Sequence, residues 1–347
     1  MYRVLMCAAA ALFISGQAVA QTPSPATPKG VIDDIMVPSS DPGIEIYVRN
    51  KRPADMASFR PESTALYVHG AGFPSSVSFD FKLDGMISWM DYIVAHGYDV
   101  YLMDIRGFGK STRPKEMAEK PEANLPLVRS DAWLKDISSV VDFILRRRNI
   151  SRLDLIGWSW GANMMATYTT QNPGKVERLV LYAPGWIVRT PFPPPGSIPA
   201  YVMWVKNEHR QTRWLPGLSD DKKAMLTPSS FEALIETAYA SDPVGSLMDP
   251  PVLRLPNGFI QDFFEYWNAG RAYYDPAKIT VPTLVVGAEW DNVTPPYMRQ
   301  TLFPLLSNAP GKRYVELAEG AHSIMMEKNR LQLFKAVQSF LDDTKVQ

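Results

Sequence analysis

Residues 153–161 read LDLIGWSWG, and this stretch decides the fold. An apolar run typical of a strand leads into a turn of the form G-x-S-x-G, and a helical pattern begins directly after it. Gly157 and Gly161 are required because a side chain in so tight a turn would collide with the neighbouring strand or helix. The pattern predicts that Ser159 is presented as a nucleophile at the positive end of a helix; the alternative is a plain N-cap serine.

Short β-branched or aromatic runs alternate with amphipathic segments on both sides of this turn. The predicted strands are 44–48, 64–68, 98–103, 153–156, 178–182, 283–286 and 314–317. The predicted helices are 86–96, 131–148, 160–171, 297–306 and 331–341. Alternation of this kind indicates an α/β fold with a mostly parallel central sheet and helices on both faces.

This alternation is interrupted between residues 185 and 275. The interruption begins with closely spaced prolines, Pro191, Pro193, Pro194, Pro195 and Pro199, followed by helix-like pieces rich in aromatic residues. We interpret it as a helical cap inserted over the sheet, with aromatic side chains lining a pocket for an apolar or aromatic group. The predicted core therefore has two parts, residues 21–184 and 276–347, and the cap is residues 185–275.

The N-terminus has the features of a signal peptide over residues 1–20. Arg3 precedes an apolar stretch, Val4–Ile14, that is too short to span a bilayer, and the small residues Ala18-Val19-Ala20 form a cleavage site. We therefore expect an exported protein, periplasmic or extracellular, with no stable membrane insertion after cleavage; a membrane anchor is the alternative. Cleavage would also remove Cys7, the single cysteine, and with it any disulfide.

Composition narrows the kinds of partner. Of the 347 residues, 46% are hydrophobic, and 36 Lys and Arg balance 36 Asp and Glu. No excess charge favours a nucleic acid or a polyanionic substrate, so a small molecule is the expected partner. The four histidines are too dispersed for metal-ligand spacing, and we expect neither a metal nor a cofactor.

A serine hydroxyl needs a base to take its proton, and His322 is the candidate. It lies in the glycine-bearing loop between the last predicted strand and the last helix. In α/β-hydrolases, which the Ser159 turn resembles, the acid that orients the histidine lies between the serine and the histidine in sequence. Asp291 follows a strand and is favoured, while Glu289 is the rival.

The loop HGAGF at residues 69–73 follows a predicted strand and can supply an N–H donor for an oxyanion. We assign that donor to Ala71, with Gly72 as the alternative, and the second donor to the N–H of Trp160, just after the nucleophile. Gly72, Phe73 and Trp158 are the predicted substrate-binding residues.

Residues 104–111, which read DIRGFGKS, are interpreted as scaffolding rather than as a phosphate-binding loop. Here Asp104 and Arg106 are expected to pair beneath the nucleophile turn. His69 is expected to make a structural hydrogen bond.

Taken together, these motifs resemble the α/β-hydrolase superfamily, over nearly the whole mature chain except the insertion. The resemblance implies that residues 185–275 are the lid between the sixth and seventh strands. Haloalkane dehalogenases and epoxide hydrolases carry an aspartate at the elbow, whereas this chain has Ser159. The Trp-Ser-Trp elbow is similar to those of proline iminopeptidases and of hydrolases acting on monoalkyl phthalates.

The leading hypothesis is an exported carboxylic ester hydrolase that forms an acyl-enzyme on Ser159. One alternative is an aminopeptidase or amidase, for which a cap carboxylate would bind the free amine: Glu208, Glu232, Glu236 or Glu265. Arginines that could bind a substrate carboxylate are Arg189, Arg210 and Arg213. Further alternatives are a cofactor-free dioxygenase, in which His322 deprotonates the substrate, and a ligand-binding protein with negligible turnover.

Overall fold

The computed structural model describes residues 30–208 and 214–343. The predicted signal peptide, the linker that follows it, and His209, Arg210 and Arg213 lie outside these residues. Within the described residues, no helix combines the length and the apolar character needed to cross a membrane.

Ten strands and ten helices build the described chain. The strands are β1 Gly30–Pro38, β2 Glu45–Pro53, β3 Thr64–Val68, β4 Asp99–Met103, β5 Leu153–Trp158, β6 Val176–Tyr182, β7 Tyr201–Val205, β8 Val252–Pro256, β9 Thr283–Ala288 and β10 Arg313–Leu317. The helices are α1 Ser75–Ser78, α2 Trp89–Ala95, α3 Ser130–Arg148, α4 Trp160–Gln171, α5 Lys206–Glu208, α6 Asp220–Leu226, α7 Phe231–Ala240, α8 Gly258–Glu265, α9 Pro296–Leu305 and α10 Leu331–Asp343.

Eight strands form one sheet in the order β1-β2-β4-β3-β5-β6-β9-β10. From β4 to β10 the neighbours are parallel, while β1-β2 and β2-β4 are antiparallel. Every residue of β3, β4 and β5 is buried, which is expected of central parallel strands covered on both faces. The predicted α/β class and mostly parallel sheet are confirmed.

Strand β1 was not predicted from the sequence. It pairs with β2 as an antiparallel hairpin at the sheet edge, and its exposure alternates residue by residue. Asp33 and Asp34 interrupt its apolar residues, so the run lacks the continuous hydrophobicity of a central strand.

The insertion between β6 and β9 contains helices, as predicted, and also a two-stranded antiparallel sheet formed by β7 and β8. A buried ion pair, Asp242 Oδ1 to Arg254 Nη2 at 2.8 Å, holds β8 to the loop after α7. Arg113 of the core donates to the carbonyl of Ser241 at 3.1 Å. The first contact is internal to the cap, and the second joins the cap to the core.

Parallel strands bring their carboxyl ends to the same sheet edge, where α/β proteins bind ligands. The loop after β3 carries Ala71, the turn after β5 carries Ser159, the turn after β9 carries Asp291, and the loop after β10 carries His322. Residues more than 200 positions apart in sequence are therefore gathered at one edge by the sheet order alone.

Candidate active site

The nucleophile turn is strained and closely packed. Ser159 has φ 55° and ψ −121°, an unfavourable conformation for a residue with a side chain. A Cβ at Gly157 would lie 2.6 Å from Cα of Ala162, and one at Gly161 would lie 2.2 Å from the carbonyl oxygen of His69. Only glycine therefore fits at positions 157 and 161, as the sequence pattern required.

The structure brings His322 and Asp291 together. His322 Nδ1 lies 2.9 Å from Asp291 Oδ2, and both side chains are almost fully buried. An ionised carboxylate only accepts hydrogen bonds, so Nδ1 carries the proton and Nε2 is left as an acceptor. His322 and Ser159 line the same cavity. This is the arrangement by which an imidazole can take a proton from a serine hydroxyl.

Asp291 is surrounded by donors. Its Oδ1 accepts from the N–H groups of Val293 at 2.9 Å and Thr294 at 2.8 Å, and its Oδ2 accepts from Thr294 Oγ1 at 2.8 Å. Arg299 Nη1 lies 3.4 Å from Oδ2. Burial alone would raise the pKa of Asp291, but the charge and hydrogen bond of His322 and the charge of Arg299 together hold this pKa below its ordinary value.

The rival acid, Glu289, lies elsewhere. Its side chain is exposed, and its Oε1 accepts from the N–H of Glu319 at 2.7 Å. It therefore connects two loops rather than orienting His322. The geometry places Asp291, not Glu289, in the position of the acid.

The backbone of His322 is held from below by two aromatic side chains. Trp158 Nε1 donates to the carbonyl oxygen of His322 at 3.1 Å, and the Tyr182 hydroxyl donates to it at 2.8 Å. Trp158 also lines the larger of the cavities described below, so the predicted substrate-binding residue additionally holds the loop that carries His322.

Glu327 lies buried behind the same loop. Its Oε2 accepts from the N–H of Ala321 at 3.1 Å, whereas its Oε1 has no hydrogen-bond partner among the described residues. Burial raises the pKa of Glu327 to about 8, partly opposed by the N–H groups of Ala321 and Ser323 and reinforced by the charge of Asp291. At neutral pH this carboxyl group is therefore largely protonated.

The loop after β3 is fixed by His69. Its Nδ1 donates to the carbonyl oxygen of Gly70 at 2.5 Å, and its Nε2 accepts from the N–H of Ile105 at 3.1 Å. Burial lowers the pKa of His69 to about 4, so the ring stays neutral and structural. Ala71 follows Gly70 and lines the wall beside Ser159, which suits its predicted role as an oxyanion donor.

The predicted pair between Asp104 and Arg106 is wrong. Arg106 Nε lies 3.0 Å from both carboxylate oxygens of Asp136, and its Nη1 lies 2.7 Å from Asp41. Asp104 instead accepts from the N–H and hydroxyl of Ser76, each at 3.0 Å. The chain turns between Asp104 and Arg106, so their side chains reach different partners. The segment is scaffolding nevertheless.

Two cavities open beside Ser159. The larger, about 350 Å³, is lined by residues from the core loops and from the cap: Gly70, Ala71, Gly72, Phe73, Trp158, Ser159, Trp204, Trp214, Leu215, Pro216, Phe259, Trp290, Asn292, Val293, Ala321, His322, Ser323 and Met326. The smaller, about 210 Å³, is lined by Ala71, Ser159, Trp160, Asn163, Gly185, Phe259, Ile260, Phe263, Trp267, Val293, Thr294 and Met298. Of the residues assigned to substrate binding, Gly72, Phe73 and Trp158 all line the larger cavity.

Neither cavity is lined by a Lys, Arg, Asp or Glu among the described residues. Of the candidate glutamates, Glu265 pairs with Arg129, and Glu236 pairs with Lys206 on an exposed surface. Arg189 lies over the ring of Tyr297, 4.3 Å from its centroid. In the part of the chain that is described, no cluster of three His, Cys, Asp or Glu residues is arranged to hold a metal ion.

Sequence reasoning missed three residues of the site: Thr294, Arg299 and Glu327. Thr294 could have been found, because a carboxylate followed three positions later by a threonine often closes a local turn. Arg299 and Glu327 carry no such signal, because their contacts with the catalytic loops depend on how α9 and the last loop pack.

Comparison with known proteins agrees with this architecture. A model of the serine aminopeptidase S33 family (Hydrolase_4) matches residues 86–329. The abhydrolase domain-containing protein abhd-5.2 of Caenorhabditis elegans is 28% identical over 102 residues, which are 29% of this chain and 21% of that protein. This chain therefore matches about a fifth of the length of that relative.

Solved structures share the fold at low identity. A serine hydrolase involved in carbazole degradation is 19% identical, with a TM-score of 0.58 over 90% of this chain and 99% of its own. The meta-cleavage product hydrolase of Pseudomonas fluorescens IP01 is 14% identical, with a TM-score of 0.59 over 89% and 98%. A thermophilic esterase from Thermogutta terrifontis is 17% identical, with a TM-score of 0.54 over 89% and 98%. Since the family model matches more than half of the sequence, this chain belongs to the serine aminopeptidase S33 family of α/β-hydrolases.

Proposed function

We propose that this hydrolase cleaves an uncharged carboxylic ester with an apolar or aromatic group, through an acyl-enzyme on Ser159. The observation that carries the proposal is the hydrogen-bonded pair of His322 and Asp291, which shares a mostly apolar cavity with a serine on a strained elbow. Perturbed, buried groups beside an apolar cavity are typical of catalytic sites.

The proposed reaction has two stages. His322 Nε2 takes the proton of the Ser159 hydroxyl while Oγ bonds to the ester carbonyl carbon, and the oxyanion is met by the N–H groups of Ala71 and Trp160. The protonated imidazole then gives its proton to the leaving oxygen as the ester bond breaks, releasing the alcohol. Water, deprotonated by His322, next attacks the acyl-enzyme and releases the carboxylic acid and free Ser159.

The family name raises aminopeptidase activity as a second candidate, but the cavities support an ester. Binding a free ammonium group in an apolar site needs a facing carboxylate, because an unpaired buried charge is costly. No described Asp or Glu lines either cavity. Amino-acid anilides should therefore be much poorer substrates than neutral esters.

A fluorophosphonate probe combined with an ester panel tests the proposal. We expect a stable mass addition at Ser159 and turnover that falls on the order of 10⁶-fold in Ser159→Ala. Oxygen uptake with a heteroaromatic substrate, in a protein that neither hydrolyses the esters nor is labelled at Ser159, would favour the dioxygenase alternative. An unlabelled protein with no turnover would favour a ligand-binding role.

We also propose that the enzyme is exported, on the basis of the sequence features of residues 1–20. Expression of the full chain in a bacterial host with fractionation tests this. An extracytoplasmic product whose mass corresponds to cleavage after Ala20 is expected; a cytoplasmic product of uncleaved mass would contradict export.

A further inference from the structure

The two cavities meet at Ser159 but differ in the catalytic groups that line them. Ala71, Phe259 and Val293 are common to both. His322 lines only the larger cavity. Trp160, which begins the helix after the nucleophile, lines only the smaller one. Ser159 therefore lies between a side that carries the base and a side that carries the start of α4.

This asymmetry decides how an ester can be placed. The imidazole that takes the serine proton must deliver it to the leaving oxygen, so the leaving group has to lie on the side of His322. The acyl chain then extends to the other side, past the N–H of Trp160. We infer that the larger cavity holds the leaving alcohol and the smaller cavity holds the acyl group, an assignment that rests on the proposed function.

The walls of the larger cavity favour a flat, uncharged alcohol. Its described lining has four tryptophans and no Lys, Arg, Asp or Glu. Two of these tryptophans are fixed by further contacts. Trp214 Nε1 donates to Thr227 Oγ1 at 3.0 Å, and Lys222 Nζ lies 3.8 Å from the ring centroid of Trp290. A preformed aromatic slot binds a ring with little ordering cost. The alcohol is therefore expected to carry an aromatic ring.

Gly72 supports the same reading of the larger cavity. A Cβ at Gly72 would be in van der Waals contact with the ring of Trp204 at 3.5 Å, so this ring lies directly beside the loop that carries Ala71. A flat group entering beside the ring of Trp204 would lie next to that loop. Trp204 is therefore a specificity-determining residue for the alcohol.

The smaller cavity favours a short apolar acyl group. It has about three-fifths of the larger volume, and its walls include Phe263, Trp267 and Met298. The ring of Trp267 packs edge-on against that of Trp160, with centroids 5.0 Å apart, and against that of Phe263, with centroids 6.2 Å apart. These three packed rings form one wall of the smaller cavity. An acyl chain that carries a ring would have to displace these packed side chains.

Two isomeric esters test the assignment. In 2-phenylethyl acetate the ring is on the alcohol, and in methyl 3-phenylpropanoate it is on the acyl chain, while in both the leaving oxygen is bonded to a saturated carbon. We expect kcat/KM to be at least about tenfold higher for the first, which corresponds to about 1.4 kcal/mol of activation free energy, because its ring enters the aromatic cavity and the ring of the second does not. A ratio near one, or the reverse preference, would overturn the assignment.

A pair of cavity variants sharpens the test. Trp204→Ala should lower kcat/KM for 2-phenylethyl acetate about tenfold and change the other isomer little. Phe263→Ala should raise kcat/KM for methyl 3-phenylpropanoate by opening the smaller cavity. Equal effects of each variant on both isomers would contradict separate sites.

A third substrate, butyl acetate, which carries no aromatic ring, separates the failure of this inference from the failure of the proposed function. If it is hydrolysed by a Ser159-dependent route while neither isomer is, the aromatic-alcohol assignment is wrong and the esterase remains. If none of the three is hydrolysed and Ser159 is not labelled, the proposed function itself fails.

Discussion

Two buried carboxyl groups lie on either side of the His322 loop, and they differ in charge. Asp291, on the turn after β9, is 1% exposed, and Glu327, at the end of the His322 loop, is 0% exposed. Yet the pKa of Asp291 lies below its ordinary value, while burial raises that of Glu327 to about 8. Depth of burial therefore does not decide which group is ionised.

The difference comes from the partners of each group. Asp291 accepts from two backbone N–H groups, Thr294 Oγ1 and His322, and Arg299 lies close by. Glu327 accepts from the N–H of Ala321 and faces the negative charge of Asp291. Donors and cations offset the cost of desolvating an anion, and only Asp291 has enough of them.

The largest effect on activity is expected when Asp291, the ionised carboxyl group, is neutralised. Asp291→Asn should lower ester turnover by about 10⁴-fold, because an amide that donates to Nδ1 leaves His322 in the wrong tautomer. Initial rates with 4-nitrophenyl acetate measure this. Circular dichroism should show the fold retained. An activity within tenfold of the parent would remove Asp291 from the role of the acid.

The second prediction concerns Glu327, the neutral carboxyl group, and its contribution to the free energy of unfolding. Folded Glu327 keeps its proton to about pH 8, against an ordinary pKa of 4.5. Its stabilising contribution is therefore complete below pH 4.5 and is lost as the pH rises through about 8. Glu327→Gln, which cannot ionise, should be more stable than the parent by about 5 kcal/mol at pH 9, because each pKa unit between the two values corresponds to about 1.4 kcal/mol, and should show little gain at pH 4.

Urea unfolding of Glu327→Gln and the parent between pH 4 and 9 measures this dependence. The exposed Glu45→Gln controls for the change in net charge. A stability difference that is constant with pH would show that Glu327 is ionised in the folded protein, and the contrast with Asp291 would collapse.

A smaller effect is expected when Asp291 loses one donor. Thr294→Val removes the hydroxyl that lies 2.8 Å from Asp291 Oδ2 but keeps the backbone N–H bond to Oδ1. Turnover should fall about tenfold, because a hydrogen bond to a charged group contributes about 1.5–3 kcal/mol, part of which His322 and Arg299 can replace. The pH dependence of kcat/KM measures it. A loss as large as that of Asp291→Asn would show that Thr294 acts on His322 directly.

The smallest effect is expected for the rival acid. Glu289→Gln should leave ester turnover within about twofold of the parent, since its side chain is exposed and contacts Glu319 rather than His322. It is the matched control for Asp291→Asn. If Glu289→Gln were the damaging change and Asp291→Asn the tolerated one, the acid assignment would move to Glu289.

The parts of the fold read from sequence were those governed by local patterns. The central strands and α4 could be predicted because buried parallel strands are continuously apolar and helices repeat every 3.6 residues. Strand β1 was missed because Asp33 and Asp34 break its apolar run, and the β7-β8 sheet was missed because nothing local marks two short strands within the cap.

The sequence by itself determined the elbow at Ser159 and its order with Asp291 and His322 along the chain. A strand, a tight turn and a helix are set by neighbours only a few residues apart, so their signal is local. The tertiary structure alone decided between Asp291 and Glu289 as the partner of His322, paired Arg106 with Asp136, and buried Glu327 where its pKa is raised. Those outcomes depend on contacts between distant segments and on exclusion of water, which no short pattern encodes.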